Sequence, residues 1–95
     1  MQVNELPEEF IFEIADDDGH RIGVIYYHLR DGALVMTRAE VDPEAQGHGV
    51  GSSLVGGALD QVRGTGRAIV PVCPFIIYFI DKHPEYTDLV APRIG

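Results

Sequence analysis

The sequence is short of cations and has almost no cysteine. Seven Lys and Arg stand against 15 Asp and Glu, and none of the seven falls in residues 1–20. There Glu5, Glu8, Glu9, Glu13, Asp16, Asp17 and Asp18 set the charge at −7, while residues 21–95 come to −1. Nucleic acid and anionic membrane surfaces need clustered cations, so the balance argues against both as partners. An acidic surface fits a cationic partner, and it equally fits a merely solvated face. One cysteine, Cys73, excludes an internal disulfide and points to a cytoplasmic protein. No apolar run approaches the ~18 residues of a membrane-spanning helix. The opening "MQVNELPEEF" lacks the apolar stretch of a secretory leader, so no signal peptide is expected.

What is present suits one domain over residues 1–95. With 45% hydrophobic residues the chain can build a core without staples, and a chain of this size buries more than ~60% of its unfolded surface. No repeat, linker or low-complexity segment divides it. "FIFEIA" (10–15) alternates, with Phe10, Phe12 and Ile14 on one face. "DDDG" is a turn, and "HRIGVIYYHL" (20–29) reads as the returning strand. After "RDG" comes "ALVMTRAEV" (33–41), whose alternation puts Leu34, Met36, Arg38 and Glu40 on one face and Ala33, Val35, Thr37, Ala39 and Val41 on the other. The period then becomes helical. Leu54, Val55, Ala58, Leu59 and Val62 predict a helix from Ser52, with Gly64 as its stop. "RAIVPVC" (67–73) reads as a buried strand parallel to the third. "PFIIYFIDKH" (74–83) reads as a helix with Pro74 in its first turn, its β-forming residues leaving a strand as the rival. "EYTDLVAPRIG" is a tail with room for a short strand. The predicted order is β-β-β-α-β-α, an α/β (α+β) fold with a mixed sheet.

"PEAQGHGVGSSL" (43–54) concentrates the information. Gly47, Gly49 and Gly51 alternate between the end of a strand and the start of a helix, the edge at which open α/β sheets bind ligands. A helix N-terminus offers free N–H groups and about half a positive charge, and glycines clear side chains from it. Such a loop suits an anion with several oxygens, such as a pyrophosphate. It is not a P-loop, since no lysine follows the last glycine before the serines, and its spacing is not that of a dinucleotide fingerprint. A tightly packed turn without a ligand is the alternative.

Gln46-Gly47-His48-Gly49-Val50-Gly51 fits the pattern Q/R-x-x-G-x-G/A, set after an antiparallel meander and before a helix. Together with "PVCPFIIYFIDKHPEYTDLV" (71–90) it resembles the GNAT superfamily of acetyl-CoA-dependent N-acetyltransferases. Within that superfamily it is similar to the small stand-alone domains of the YjdJ type, which lack the helices usual between the first two strands. Here only "DDDG" occupies that place. The resemblance implies that acetyl-CoA is the cosubstrate and that no metal is needed. It implies backbone contacts to the CoA pyrophosphate from Gly47, His48, Gly49, Val50, Gly51 and Ser52, with Gln46 ordering the loop. Val41 would offer backbone groups to the pantetheine arm. Pro71, which cannot donate a ladder hydrogen bond, supports a gap for that arm beside the third strand. Arg67 and Lys82 are the candidates for the adenosine 3′-phosphate.

Acetyl transfer needs a base for the amine, polarisation of the thioester carbonyl and an exit for the CoA thiolate. Glu40 is the candidate base, expected to be partly buried beside Leu34 and Met36, with a paired surface carboxylate as the other reading. Cys73 stands at the predicted N-terminus of the last helix, where free N–H groups activate a thiol. It reads as a nucleophile, as an acid for the leaving thiolate, or as a small core residue. Tyr78, on the same helix, is the candidate general acid, or core. The four histidines and Cys73 show no metal-ligand spacing. The implied activity is transfer of an acetyl group to an amine, on a small molecule or a protein lysine, and the alternative is a non-catalytic acyl-CoA-binding module.

Overall fold

The computed structural model describes residues 1–91. Five strands form one sheet in sequence order: β1 (Gln2–Leu6), β2 (Ile11–Ala15), β3 (Arg21–Arg30), β4 (Ala33–Val41) and β5 (Ile69–Pro71). The first three pairings are antiparallel and β4–β5 is parallel. Between β4 and β5 run a 3-10 turn, Pro43–Ala45, and the helix α1, Val50–Thr65. Helix α2, Pro74–Lys82, follows β5 and leads into a 3-10 segment, Pro84–Leu89. The fold is thus the expected mixed sheet with α-β-α after the meander.

Both helices bury their apolar stripes against one face of the sheet. Leu54, Val55, Ala58, Leu59 and Val62 of α1 and Ile76, Phe79 and Ile80 of α2 pack with Phe12, Ile14, Ile25, Leu34, Met36 and Ile69. Among the described residues none of the helices is long and apolar enough to cross a membrane.

The strand β1 has no counterpart in the sequence reading. It is an edge strand with one well-placed apolar residue, Val3, and its order comes from elsewhere. It pairs with β2 along its whole length, and Gln61 Nε2 of α1 donates to Val3 O at 2.7 Å. No helix intervenes at either early connection. Pro7–Phe10 turns β1 into β2, and the Asp16–His20 turn joins β2 to β3. Other boundaries shift. α1 begins at Val50 and continues past Gly64 to Thr65, capped by the left-handed Gly66, and β5 is shorter than 67–73. In the tail, Val90 makes one parallel bridge to Ile69, and residues 92–95 lie outside the described residues.

The consequential difference is inside β4. Tyr27 pairs with Met36, but Tyr26 pairs with Arg38, so Thr37 is an extra, unpaired residue. Such a bulge shifts the alternation by one. Leu34 and Met36 face the helices before it, and Ala39 and Val41 face them after it. The expected faces of this strand therefore do not hold beyond Thr37.

Candidate active site

The β4–β5 ladder is short. Its last rung is Met36 opposite Pro71, after which the Met36 carbonyl accepts the N–H groups of both Val72 and Cys73, at 2.9 and 3.1 Å. The chain then turns into α2, while β4 runs on to Val41. Asp42 N–H donates to Ile22 O, so alternation turns the backbone groups of Ala39 and Val41 away from β3, toward the open side. A gap thus opens in the sheet, as Pro71 suggested, with Met36 and Cys73 at its vertex.

A groove of about 410 Å³ occupies the helix side of this gap. Ala39, Val41, Gln46, Gly47, Gly49, Val50, Gly51, Ser52 and Phe75 line it. Gly47 and Gly49 have φ of 83° and 76°, the left-handed region that only glycine enters cheaply. A Cβ at either would meet nothing within 4 Å, so the cradle is open. Gly49 is the N-cap of α1 and supplies no capping side chain. The first N–H groups of the helix have no intrahelical acceptor and are available to a ligand. Gln46 Nε2 donates to Val41 O at 3.1 Å, tying the loop to the strand end. Gly51 does a different job, since a Cβ there would lie 3.1 Å from the Phe75 ring.

Seven of the eight loop and strand residues singled out as CoA-binding therefore line one groove; the exposed His48 does not. Two lining residues, Ala39 and Phe75, were not singled out. The bulge hid Ala39, and Phe75 stood unremarked within Cys-Pro-Phe.

The catalytic candidates are placed differently. Glu40 is not buried beside Leu34 and Met36, because the bulge at Thr37 puts it on the opposite face. Half exposed, its carboxylate meets Arg38 Nε at 3.3 Å and accepts the Tyr26 O–H at 3.3 Å. It lines a separate concavity of about 470 Å³ with Ala39, Val41, Asp42, Pro43 and Gln46. Cys73 is the N-cap of α2 as expected, but it is only 6% exposed and packs in the core. Tyr78 is 59% exposed, with Lys82 Nζ 5.4 Å from its ring centroid. None of the three lines the groove.

Arg67 cannot serve the glycine loop. It follows the far end of α1, and a helix of 16 residues is about 24 Å long. There its guanidinium grips Glu5 at 2.7 and 3.0 Å, and Tyr27 donates its hydroxyl to the same carboxylate at 2.6 Å. The Arg67 hydrogen bonds hold the Glu5 carboxyl below its usual range. Burial, helped by the neighbouring Glu5 carboxylate, pushes the Tyr27 phenol up to about 12. Lys82, at the end of α2, faces Tyr78.

His83 and His20 take structural positions, while His28 and His48 are exposed. His83 Nδ1 lies 2.9 Å from Phe79 O and its ring stacks on Phe79 at 4.1 Å. His20, Asp16 and Asp18 bring ligand-capable atoms within 4.8 Å of one another, but Asp16 already accepts the Asp18 and His20 N–H groups of the exposed β2–β3 turn.

Several solved structures share this architecture. A GCN5-like candidate N-acetyltransferase from Staphylococcus aureus superposes with a TM-score of 0.70 at 24% identity, covering 97% of this chain and 89% of that one. The ribosomal-protein-S18-alanine N-acetyltransferase of Escherichia coli gives 0.62 at 17% identity over 77% of this chain, which spans 50% of the enzyme's length. No curated protein sequence matches the chain. At these identities the likenesses establish the fold. The sequence profile of the GCN5-related N-acetyl-transferase family matches residues 11–89, which takes in the meander, the glycine loop and both helices. The chain is thereby an acyltransferase belonging to the GCN5-related N-acetyl-transferase family.

Proposed function

We propose that this single domain transfers the acetyl group of acetyl-CoA to a primary amine, with the groove beside β4 holding the cosubstrate. The observation that carries the reading is the uncapped α1 N-terminus behind two left-handed glycines, opening directly onto the gap between β4 and β5. The residues fit the molecule. Anionic phosphates suit the N–H groups of Gly47 to Ser52 and the positive end of α1. A thin amide-bearing arm suits the unpaired backbone edge of Ala39 and Val41. The Gln46 bond occupies the Val41 carbonyl, so on this reading Gln46 fixes the loop while the Val41 N–H stays free. Acetyl-CoA supplies an activated acyl thioester.

The remaining chemistry falls to this chain's residues. An arm lying along β4 from the loop toward Met36 ends at the vertex, beside Cys73. There the Cys73 thiol either attacks the acetyl carbon, its proton leaving with CoA as the acetyl–CoA bond breaks and the acetyl group then passing from the cysteine to the amine, or only gives its proton to the CoA thiolate that direct attack by the amine expels. The amine enters from the opposite face of β4, which no early helix covers, and Glu40, held by Arg38 and Tyr26, accepts its proton. Tyr78, exposed one turn after Phe75, is the remaining candidate acid. The acceptor amine belongs to a small molecule or to a protein lysine.

A second reading is a non-catalytic acyl-CoA-binding module. It is favoured by the placement of Glu40, Cys73 and Tyr78 outside the groove lining. Release of CoA thiol from acetyl-CoA, with and without a panel of polyamines, free lysine and a lysine-bearing peptide, separates the two. Amine-dependent release supports the transferase. Acetyl-CoA binding with no release across the panel supports the module, and no binding overturns both.

A further inference from the structure

The groove has two chemically different ends. Gln46, Gly47, Gly49 and Ser52 make its mouth polar and rich in N–H groups, while Ala39, Val41, Val50 and Phe75 make its inner part apolar. Phe75 holds a special place in the second set. It belongs to the first turn of α2, yet its ring reaches the first turn of α1. A Cβ built on Gly51 would stand 3.1 Å from Phe75 Cζ and 3.3 Å from Cε2, and 3.7 Å from Val41 Cγ2. Gly51 has no left-handed backbone to accommodate, so its missing side chain makes room for this ring. Phe75 nevertheless remains 39% exposed, whereas Ile76, Phe79 and Ile80 of the same helix are buried. An aromatic ring given its space at the expense of an α1 side chain, and left open toward an apolar trough, is built to meet something in that trough.

We propose that Phe75 is a specificity-determining residue that makes the groove one arm wide, so that it selects a CoA thioester over the nucleotide part alone. The inference rests on the reading of the groove as a CoA site. Its chemistry is simple. A pyrophosphate needs only the mouth, whereas an extended, largely apolar arm gains the ring face on one side and Ala39 and Val41 on the other. Gly51 acts through Phe75: a methyl group there pushes the ring into the arm's path. The two positions are therefore coupled, and a smaller flexible side chain at 75 relieves the clash.

Calorimetric titration with acetyl-CoA and, by competition, with ADP tests this on the whole chain. ADP carries the pyrophosphate and no arm. Phe75→Ala should weaken acetyl-CoA binding by roughly tenfold or more, as expected for losing the burial of much of an aromatic face. It should leave the ADP affinity within about twofold of the parent. Gly51→Ala should show the same selective loss, and Gly51→Ala with Phe75→Leu should recover at least half of it in logarithmic terms. Phe75→Leu, which keeps an apolar side chain in the core-side wall, should fall between parent and Phe75→Ala. Equal losses for acetyl-CoA and ADP, or a Phe75→Ala variant that binds acetyl-CoA like the parent, would overturn the inference while leaving the CoA site standing. A parent protein that binds neither ligand would remove the site itself.

Discussion

At the residue scale, three alternating glycines do two kinds of work. Gly47 and Gly49 supply left-handed backbone in open space, and Gly51 supplies room for an aromatic ring. The sequence announced that this stretch mattered but could not divide the labour, because positive φ and close approach leave the same letter. Gly49→Val separates them. Forcing a side chain into the left-handed region costs about 1–2 kcal/mol, within the usual 5–15 kcal/mol of a folded domain. The variant should keep its circular dichroism spectrum and lose at least about tenfold in acetyl-CoA affinity. His48→Ala, outside the groove lining, should change that affinity by less than about twofold. Cys73 carries the riskiest expectation. In an amine-dependent assay, Cys73→Ala should keep acetyl-CoA binding and lose most of the transfer, with Cys73→Ser little better, since a serine hydroxyl without a base is a poor nucleophile. Full turnover by Cys73→Ala would make this 6% exposed residue a packing residue and leave direct attack assisted by Glu40.

At the element scale, what was legible was whatever carried its own period. The stripe of α1 and the alternation of β2 are local patterns, and they predicted their elements. The strand β1 and the bulge at Thr37 are not local. β1 is ordered by pairing with β2 and by α1, and the bulge exists only as a slip between two strands. That slip alone moved Glu40 to the other face, away from Leu34 and Met36. Two glycines of α1 test how β1 is held. A Cβ on Gly57 would meet Val3 Cγ2 at 2.6 Å and Val3 Cβ at 2.9 Å, whereas one on Gly64 would meet nothing within 4 Å. The anchored Val3 Cβ cannot swing aside, so overpacking, about 1–3 kcal/mol, outweighs the roughly 1 kcal/mol of helix propensity gained at 57. Gly57→Ala should lower the melting temperature and Gly64→Ala should raise it. The same sign for both would mean that α1 does not seat on β1 in this way.

At the scale of the whole molecule, the two ends of α1 serve different purposes. Its N-terminus opens onto the groove. Its C-terminal end sits above the Glu5–Arg67–Tyr27 cluster, which ties β1, β3 and the approach to β5 together. That cluster has a pH signature. The Glu5 carboxyl is held below its ordinary value of 4.5, so its contribution is present above that pH and is lost as the pH falls through the lowered value. The Tyr27 phenol, raised from 10.0 to about 12, works in the opposite sense. Its contribution is present below pH 10 and lost as the pH rises toward 12. Glu5→Gln should flatten the loss of melting temperature below pH 4.5, and an unchanged acid profile would show that the pair adds nothing. The central claim concerns the other end of the helix, and amide chemical shifts test it most directly. Titrating acetyl-CoA into 15N-labelled protein should move the amide signals of Gly47, Gly49, Val50, Gly51 and Ser52, together with those of Ala39 and Val41 along the open edge of β4 and of Cys73 at the vertex of the gap. Gly66 and Arg67, at the far end of α1, should stay in place. Shifts gathered around Gly66 and Arg67, or none in the glycine loop at saturating acetyl-CoA, would contradict the account.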